Sequence, residues 1–306
     1  MTVDELNARF GAPGRIVFRA GFAGEANVVI ASRYGTAEIA LYGGNVLSYR
    51  PTGHSPVLFR PAKKDADFTR AESFHGGIPV CWPQFGNKAF KDLPQHGFAR
   101  HSLFTVRGTE YTEEKTEITL GLRANDETKK IWPHDFDLEL KISVTMKLNL
   151  FLKTTNTGKM PFDFSCGFHP YFLVRNRDDV VVRGLDGASY VDGTTSELKE
   201  GVWTGDLKVN FAPDHIFSLI PTPKHAFAVL DPSLRRAIAI ASSGNERCVV
   251  WNCGEKNILS DGAAGDWQKF VCVEPVSDWP SSRSLAPGET HELMVAIQAH
   301  LDDTLS

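Results

Sequence analysis

The chain has 306 residues, of which 42% are hydrophobic and 23% charged, with a net charge of −4 and a pI of about 6.2. That composition is ordinary for a globular protein able to bury a large core. The mild negative charge offers no field for nucleic acid or an anionic membrane, so neither is expected as a partner.

Thr2 and Glu5 have capping-box spacing with Leu6 following, which predicts a short N-terminal helix. From there a period of two dominates. Residues 27–32 and 35–50 read as strands with a turn at Tyr34-Gly35, and the pair Gly43-Gly44 predicts a bulge or bend. Residues 60–100 alternate least and are rich in Gly, Pro, aromatics and charge. Their aromatics Phe74, Trp82, Phe85 and Phe98 argue against disorder and predict an ordered loop layer over one end of a sandwich.

Residues 115–123 alternate, with Ile118, Leu120 and Leu122 on one side. The clearest stretch is 137–153. Leu138, Leu140, Ile142, Val144, Met146, Leu148, Leu150 and Leu152 take every second position, between mostly polar residues. One face is buried and one is wet. The run is too long for a typical strand, so a turn or strong bend is expected near Lys147–Asn149. Further strands are read at 226–231, 235–242, 247–251, 269–274 and 290–299, separated by turns such as TNTG (155–158) and APGE (286–289). The expected fold is all-β, a large antiparallel sandwich or barrel in a single domain over 1–306.

The five cysteines are scattered and form no CxxC, which points to a reducing compartment. Cys166 and Cys272 sit in apolar runs and read as small buried hydrophobes. The N-terminus lacks the apolar core of a signal peptide, and no apolar run is long enough to span a membrane. A cytoplasmic location and a monomer are expected.

Two ionisable residues stand in unusual frames. His169 lies in SCGFHPYF (165–172) and Glu274 in VCVEPVSDWP (271–280). Each follows an apolar strand-like run and precedes a proline, which cannot donate to a ladder, so both are expected at strand ends on one rim. An imidazole and a carboxylate there can exchange protons near neutral pH, and burial would raise the carboxylate toward a useful range. Taken singly, a packed histidine and a structural ion pair are the commoner readings; together the two favour chemistry.

LPQHGFAR (93–100) brings Gln95, His96 and Arg100 close together; the first two can bond hydroxyls and the third an anion. A polar surface turn is the competing reading. Arg60 follows the strand-like PVLF and could reach the same rim, while Lys63, Lys64, Arg70, Lys88 and Lys91 read mostly as solvated charge. Asp192 in LDGASYVD could accept a sugar hydroxyl, against a strong case for a turn residue before Gly193. Trp82, Trp251, Trp267 and Trp279 could offer flat surface to a sugar ring, although core packing is commoner. There is no P-loop, no dinucleotide fingerprint, no GxSxG elbow and no zinc spacing. No cofactor and no metal are expected.

GGIPVCWPQFG, LPQHGFAR, the NTG turn with PFDFSCGFHPYF, and CVEP, in that order, resemble the glucose-6-phosphate 1-epimerases of the aldose 1-epimerase superfamily, from about residue 30 to 298. The resemblance implies a galactose mutarotase-like β-supersandwich and a small sugar phosphate as partner. It implies His169 and Glu274 as the acid–base pair, and substrate contacts at Arg60, Gln95, Arg100 and Asp192, with His96 helping at the ring oxygen. A mutarotase of unphosphorylated aldoses and a non-catalytic carbohydrate-binding protein remain as alternatives. A glycoside hydrolase ranks low, because only Glu274, with Asp278 or Asp192 as remote partners, offers the carboxylates it needs.

Overall fold

The computed structural model describes residues 1–70, 72–87, 90–194, 199–278 and 282–301; Lys88 and Trp279 lie outside them. Helix Val3–Phe10 begins with the capping box the sequence announces, Thr2 and Glu5 each bonding the other's backbone. Apart from a second short helix, Asp126–Ile131, and a few 3-10 turns, the regular structure that follows is antiparallel strand.

Four sheets form. A nine-stranded sheet runs in the order Leu207–Lys208, Val181–Arg183, His225–Asp231, Arg236–Ser243, Thr290–Leu301, Leu148–Asn156, Phe136–Val144, Thr116–Arg123, Thr105–Tyr111. An eight-stranded sheet runs Lys199–Val202, Ser189–Asp192, Asp214–Ser218, Arg247–Trp251, Phe270–Ser277, Cys166–Phe168, Val80–Cys81, with Tyr171–Leu173 as a second partner of Phe270–Ser277. Residues 16–51 make a four-stranded sheet, and Phe162–Phe164 pairs with Arg283–Leu285. This is the all-β supersandwich the sequence implies. Leu138, Leu140 and Leu150 of the larger sheet share one core with Phe217, Val250 and Val273 of the smaller.

The long alternating run is two strands. Phe136–Val144 and Leu148–Asn156 pair with Val144 opposite Leu148, and the turn is Thr145–Lys147, slightly ahead of the expected place. Met146 is therefore at the hairpin tip and 61% exposed, although its spacing puts it in the apolar series. Residues 35–50 are likewise a hairpin, Gly35–Ala40 and Val46–Pro51, with the glycine pair in the turn. Gly43 has φ +81, and a Cβ there would meet the carbonyl oxygen of Arg100 at 2.7 Å. The bare glycine lets this turn dock on the Arg100 loop.

Strand Phe270–Ser277 is long and buried at all eight positions, beside the short, equally buried strand Cys166–Phe168. Val271 and Val273 face the inter-sheet core, while Cys272 and Val276 belong to clusters on the opposite face with Phe59, Cys81 and Phe85. The weakly patterned loop region thus supplies a lid of packed side chains over that outer face.

Candidate active site

His169 and Glu274 meet across the eight-stranded sheet. Strands Cys166–Phe168 and Tyr171–Leu173 both pair with Phe270–Ser277, Gly167 opposite Val276 and Tyr171 opposite Cys272. These pairs belong to one register, so the residues in the break, His169-Pro170, face the middle of the long strand, and His169 stands opposite Glu274. The expectation of a strand end holds for His169. It fails for Glu274: the strand continues through Pro275 to Ser277, because the register with Arg247–Trp251 is kept past the proline, Cys248 opposite Pro275. Pro275 sits beside the interruption in the neighbouring strand, where a missing donor does least harm.

His169 Nε2 lies 3.4 Å from a Glu274 carboxylate oxygen, with 9% and 1% of the two side chains exposed. Burial drives both toward neutrality. Desolvation holds the His169 imidazole well below its ordinary value, helped by His96, Arg100 and His75. Desolvation lifts the Glu274 carboxyl well above its ordinary range, helped by Asp214 and Asp278. His169 Nδ1 and Glu274 Oε2 have no hydrogen-bond partner among the described residues. Tyr171 stacks on the His169 ring at 4.7 Å, and Trp251 meets it edge-on at 5.7 Å.

The loop Leu93–Arg100 closes over this pair. A Cβ on Gly97 would come within 2.1 Å of the Trp82 carbonyl oxygen, so only glycine permits the approach. His96 adopts φ +63, and the Gly86 N–H donates to its Nδ1, leaving the ring proton on Nε2. Its ring lies 5.4 Å from that of His169. Burial, with Arg100 and His75, pulls His96 down to about 3, so it is neutral near pH 7. Gln95 is exposed beside His96. Arg100, in the short turn Ala99–His101, has no carboxylate partner among the described residues, and its Nε is buried without a hydrogen-bond acceptor.

The remaining sequence candidates are placed differently. Arg60 pairs with Glu38 at 3.4 Å and with Asp65, so its charge is already met by carboxylates. Asp192 stands in register with His215, hence with Val250 and Val273, on the core face of the sheet opposite to that of Glu274. Its carboxylate accepts from the Thr194 N–H and hydroxyl and lies 3.5 Å from His215. Of the tryptophans, Trp251 borders the pair. Trp82 is a core residue donating to Thr154, and Trp267 lies under the Arg177 guanidinium.

Three residues escape the sequence reading. Asp214 stands in register with Trp251, on the same face as Glu274. Pro213 before a strand was the only local hint. His75 lies within the weakly patterned segment 60–100, and its Nδ1 donates to Asp261 at 2.8 Å while its backbone N–H donates to the other carboxylate oxygen. Asp261 comes from 186 residues further on, and no spacing announces that contact.

Residues 27–298 match the family model for aldose 1-epimerase, which covers most of the chain. The chain belongs to the aldose 1-epimerase family. A 33% identical relative in Escherichia coli K12, described as "Putative glucose-6-phosphate 1-epimerase", matches over 78% of each protein. A 29% identical relative of the same description in Cenchrus ciliaris covers 89% of this chain and 84% of its own. The crystal structure described as a "putative mutarotase" from Salmonella typhimurium superposes with a TM-score of 0.86 at 25% identity, covering 98% and 99% of the two chains. This aldose epimerase family member is thus an epimerase with the mutarotase fold. Among its described residues no helix is long and apolar enough to cross a membrane.

Proposed function

We propose that the protein interconverts the α and β anomers of a hexose 6-phosphate, glucose 6-phosphate foremost, with His169 and Glu274 as the acid–base pair. The observation that carries this reading is one buried imidazole–carboxylate pair, 3.4 Å apart. With Glu274 ionised and His169 protonated, the carboxylate takes the proton of the C1 hydroxyl while the imidazolium gives its own to the ring oxygen. The C1–O5 bond breaks, and the sugar becomes an open aldehyde. Rotation about C1–C2 presents the other face of the carbonyl. On closure the 5-hydroxyl returns its proton to His169, and Glu274 returns its proton to the new C1 oxygen.

While the sugar is open, both side chains are neutral, the state that burial favours. The ionised pair is needed only in the closed complex, where sugar hydroxyls supply hydrogen bonds. Proton transfer from positioned groups is typically worth about 10²–10⁴-fold. That suffices for a reaction that already proceeds unaided. Gln95 and His96 bond the ring oxygen and hydroxyls in this reading, and Arg100 receives the phosphate through charge-assisted bonds. The relatives' names, which specify glucose 6-phosphate, support the substrate class. Arg60 could join only by leaving its present partners, and Asp192, on the opposite face of the sheet, takes no part.

Magnetisation-transfer NMR on glucose and on glucose 6-phosphate tests both halves. Faster exchange for the phosphorylated sugar is expected; equal or greater efficiency on glucose would move the substrate to neutral aldoses.

A further inference from the structure

We propose that the acid–base pair doubles as an inhibitory site for a zinc-class divalent ion, completed by Cys272. The ligand atoms of His169, Cys272 and Glu274 all lie within 4.8 Å of one another, and all three residues are buried. The strand geometry explains the grouping. Cys272 and Glu274 are two positions apart on Phe270–Ser277 and so share a face. His169 comes to the same face from the break opposite.

The donor set is nitrogen, sulfur and oxygen, the mixture that borderline-soft Zn²⁺ accepts and that hard Mg²⁺ or Ca²⁺ does not. Zinc bonds of about 2.0–2.3 Å in a tetrahedron put neighbouring ligand atoms about 3.3–3.8 Å apart. The 3.4 Å between His169 and Glu274 already fits that edge. The thiol needs to approach by no more than about 1 Å, a rotamer-scale movement. Three protein ligands leave the fourth position open to water or a sugar oxygen.

Binding requires the Cys272 thiol and the Glu274 acid to lose their protons to solvent while neutral His169 offers the Nε2 lone pair. The ion then occupies both groups that proton transfer needs, so its effect is inhibition. This consequence rests on the proposed function; the binding does not. His169 Nδ1 has no hydrogen-bond partner among the described residues, so the support that usually stiffens a zinc histidine is missing. The site is therefore reversible, and chelators empty it.

Cys272 takes no part in the proton transfers, so Cys272→Ala separates metal binding from catalysis. Addition of Co²⁺ to the chelator-treated protein is expected to give the near-ultraviolet thiolate charge-transfer band and the visible bands of four-coordinate cobalt. Both should vanish in Cys272→Ala. Zn²⁺ should inhibit anomer exchange in the wild type, reversibly with EDTA, and at least tenfold less potently in Cys272→Ala. A cobalt–thiolate band that persists in Cys272→Ala, or equal zinc sensitivity of the two proteins, overturns the site. Activity that EDTA abolishes and zinc restores overturns its inhibitory role. A cobalt band that depends on Cys272, in a protein whose exchange rate survives Glu274→Gln, keeps the metal site and rejects the proposed function instead.

Discussion

The hairpin Phe136–Asn156 and the strand Phe270–Ser277 are both buried β structure, yet they do opposite work. In the hairpin, Leu138, Leu140, Ile142, Val144, Leu148, Leu150 and Leu152 face the core, and Lys141, Asn149 and Lys153 lie on the wet side. In Phe270–Ser277 both faces are covered, and the second cover is a layer of loops. One-sided burial makes a scaffold. Two-sided burial makes a place where a carboxylate can be held away from water, and Glu274 is that carboxylate. Under the proposed function, chemistry belongs to the strand with the second cover, and stability is spread over the strands without it.

The largest expected effect breaks the contrast at its chemical end. His169→Asn should lower catalysed exchange by about 10²–10⁴-fold, the usual worth of a positioned acid or base, while circular dichroism stays native. Leu140→Ala should do the converse. It removes a fully buried side chain and should cost about 2–5 kcal/mol in denaturant unfolding, with the exchange rate per folded molecule unchanged. Arg100→Ala should reduce the preference for phosphorylated over free hexose by about 10–100-fold, the loss of a charge-assisted hydrogen bond worth roughly 1.5–3 kcal/mol. An unchanged preference would remove Arg100 from the phosphate site. Lys141→Ala, on the wet face of the hairpin, should stay within about 0.5 kcal/mol of wild type in both fold and activity.

The pH dependence sharpens the same comparison. Native Glu274 holds its proton above the ordinary value of 4.5, so the native state binds more protons than the unfolded chain as pH rises past that value. Stability from this group is complete below 4.5 and is lost as pH rises toward the raised native value. Glu274→Gln, permanently neutral, should therefore melt higher than wild type at pH 7 and equally near pH 4. His169 has the opposite sign. Its depressed native value means stability is lost as pH falls below the ordinary 6.5. The acid limb of kcat/KM should accordingly lie below pH 6.5, and a limb at the free-histidine value would show that the ring is solvated.

The two regions were not equally legible in the sequence. Period two exposed the hairpin strands because one face is wet; only the turn was misplaced, and Met146 with it, since a three-residue loop preserves the parity of the alternation. Phe270–Ser277 gave an apolar run and a proline, and the run alone marked Glu274 as buried. That the strand continues past Pro275 depends on a register set by Arg247–Trp251, which no local pattern encodes. The same limit applies to the carboxylates. Asp192 and Asp214 look alike in sequence, and only the pairing of Asp192 with His215, and of Asp214 with Trp251, puts them on opposite faces. His75 depends on Asp261, brought in by a distant loop. Of the motifs that carried the family resemblance, His169 and Glu274 come within 3.4 Å of each other, and the Leu93–Arg100 loop brings the His96 ring to 5.4 Å from that of His169.

In the proposed mechanism Glu274 takes a proton from the sugar as His169 gives one, and both transfers reverse on closure. The most direct measurement is the α/β exchange rate of glucose 6-phosphate by magnetisation transfer, in wild type and in Glu274→Gln. Glutamine keeps the shape of the neutral acid and cannot accept a proton. The variant is expected to fold and to exchange anomers at the uncatalysed rate. A folded variant that exchanges anomers as fast as wild type contradicts the mechanism.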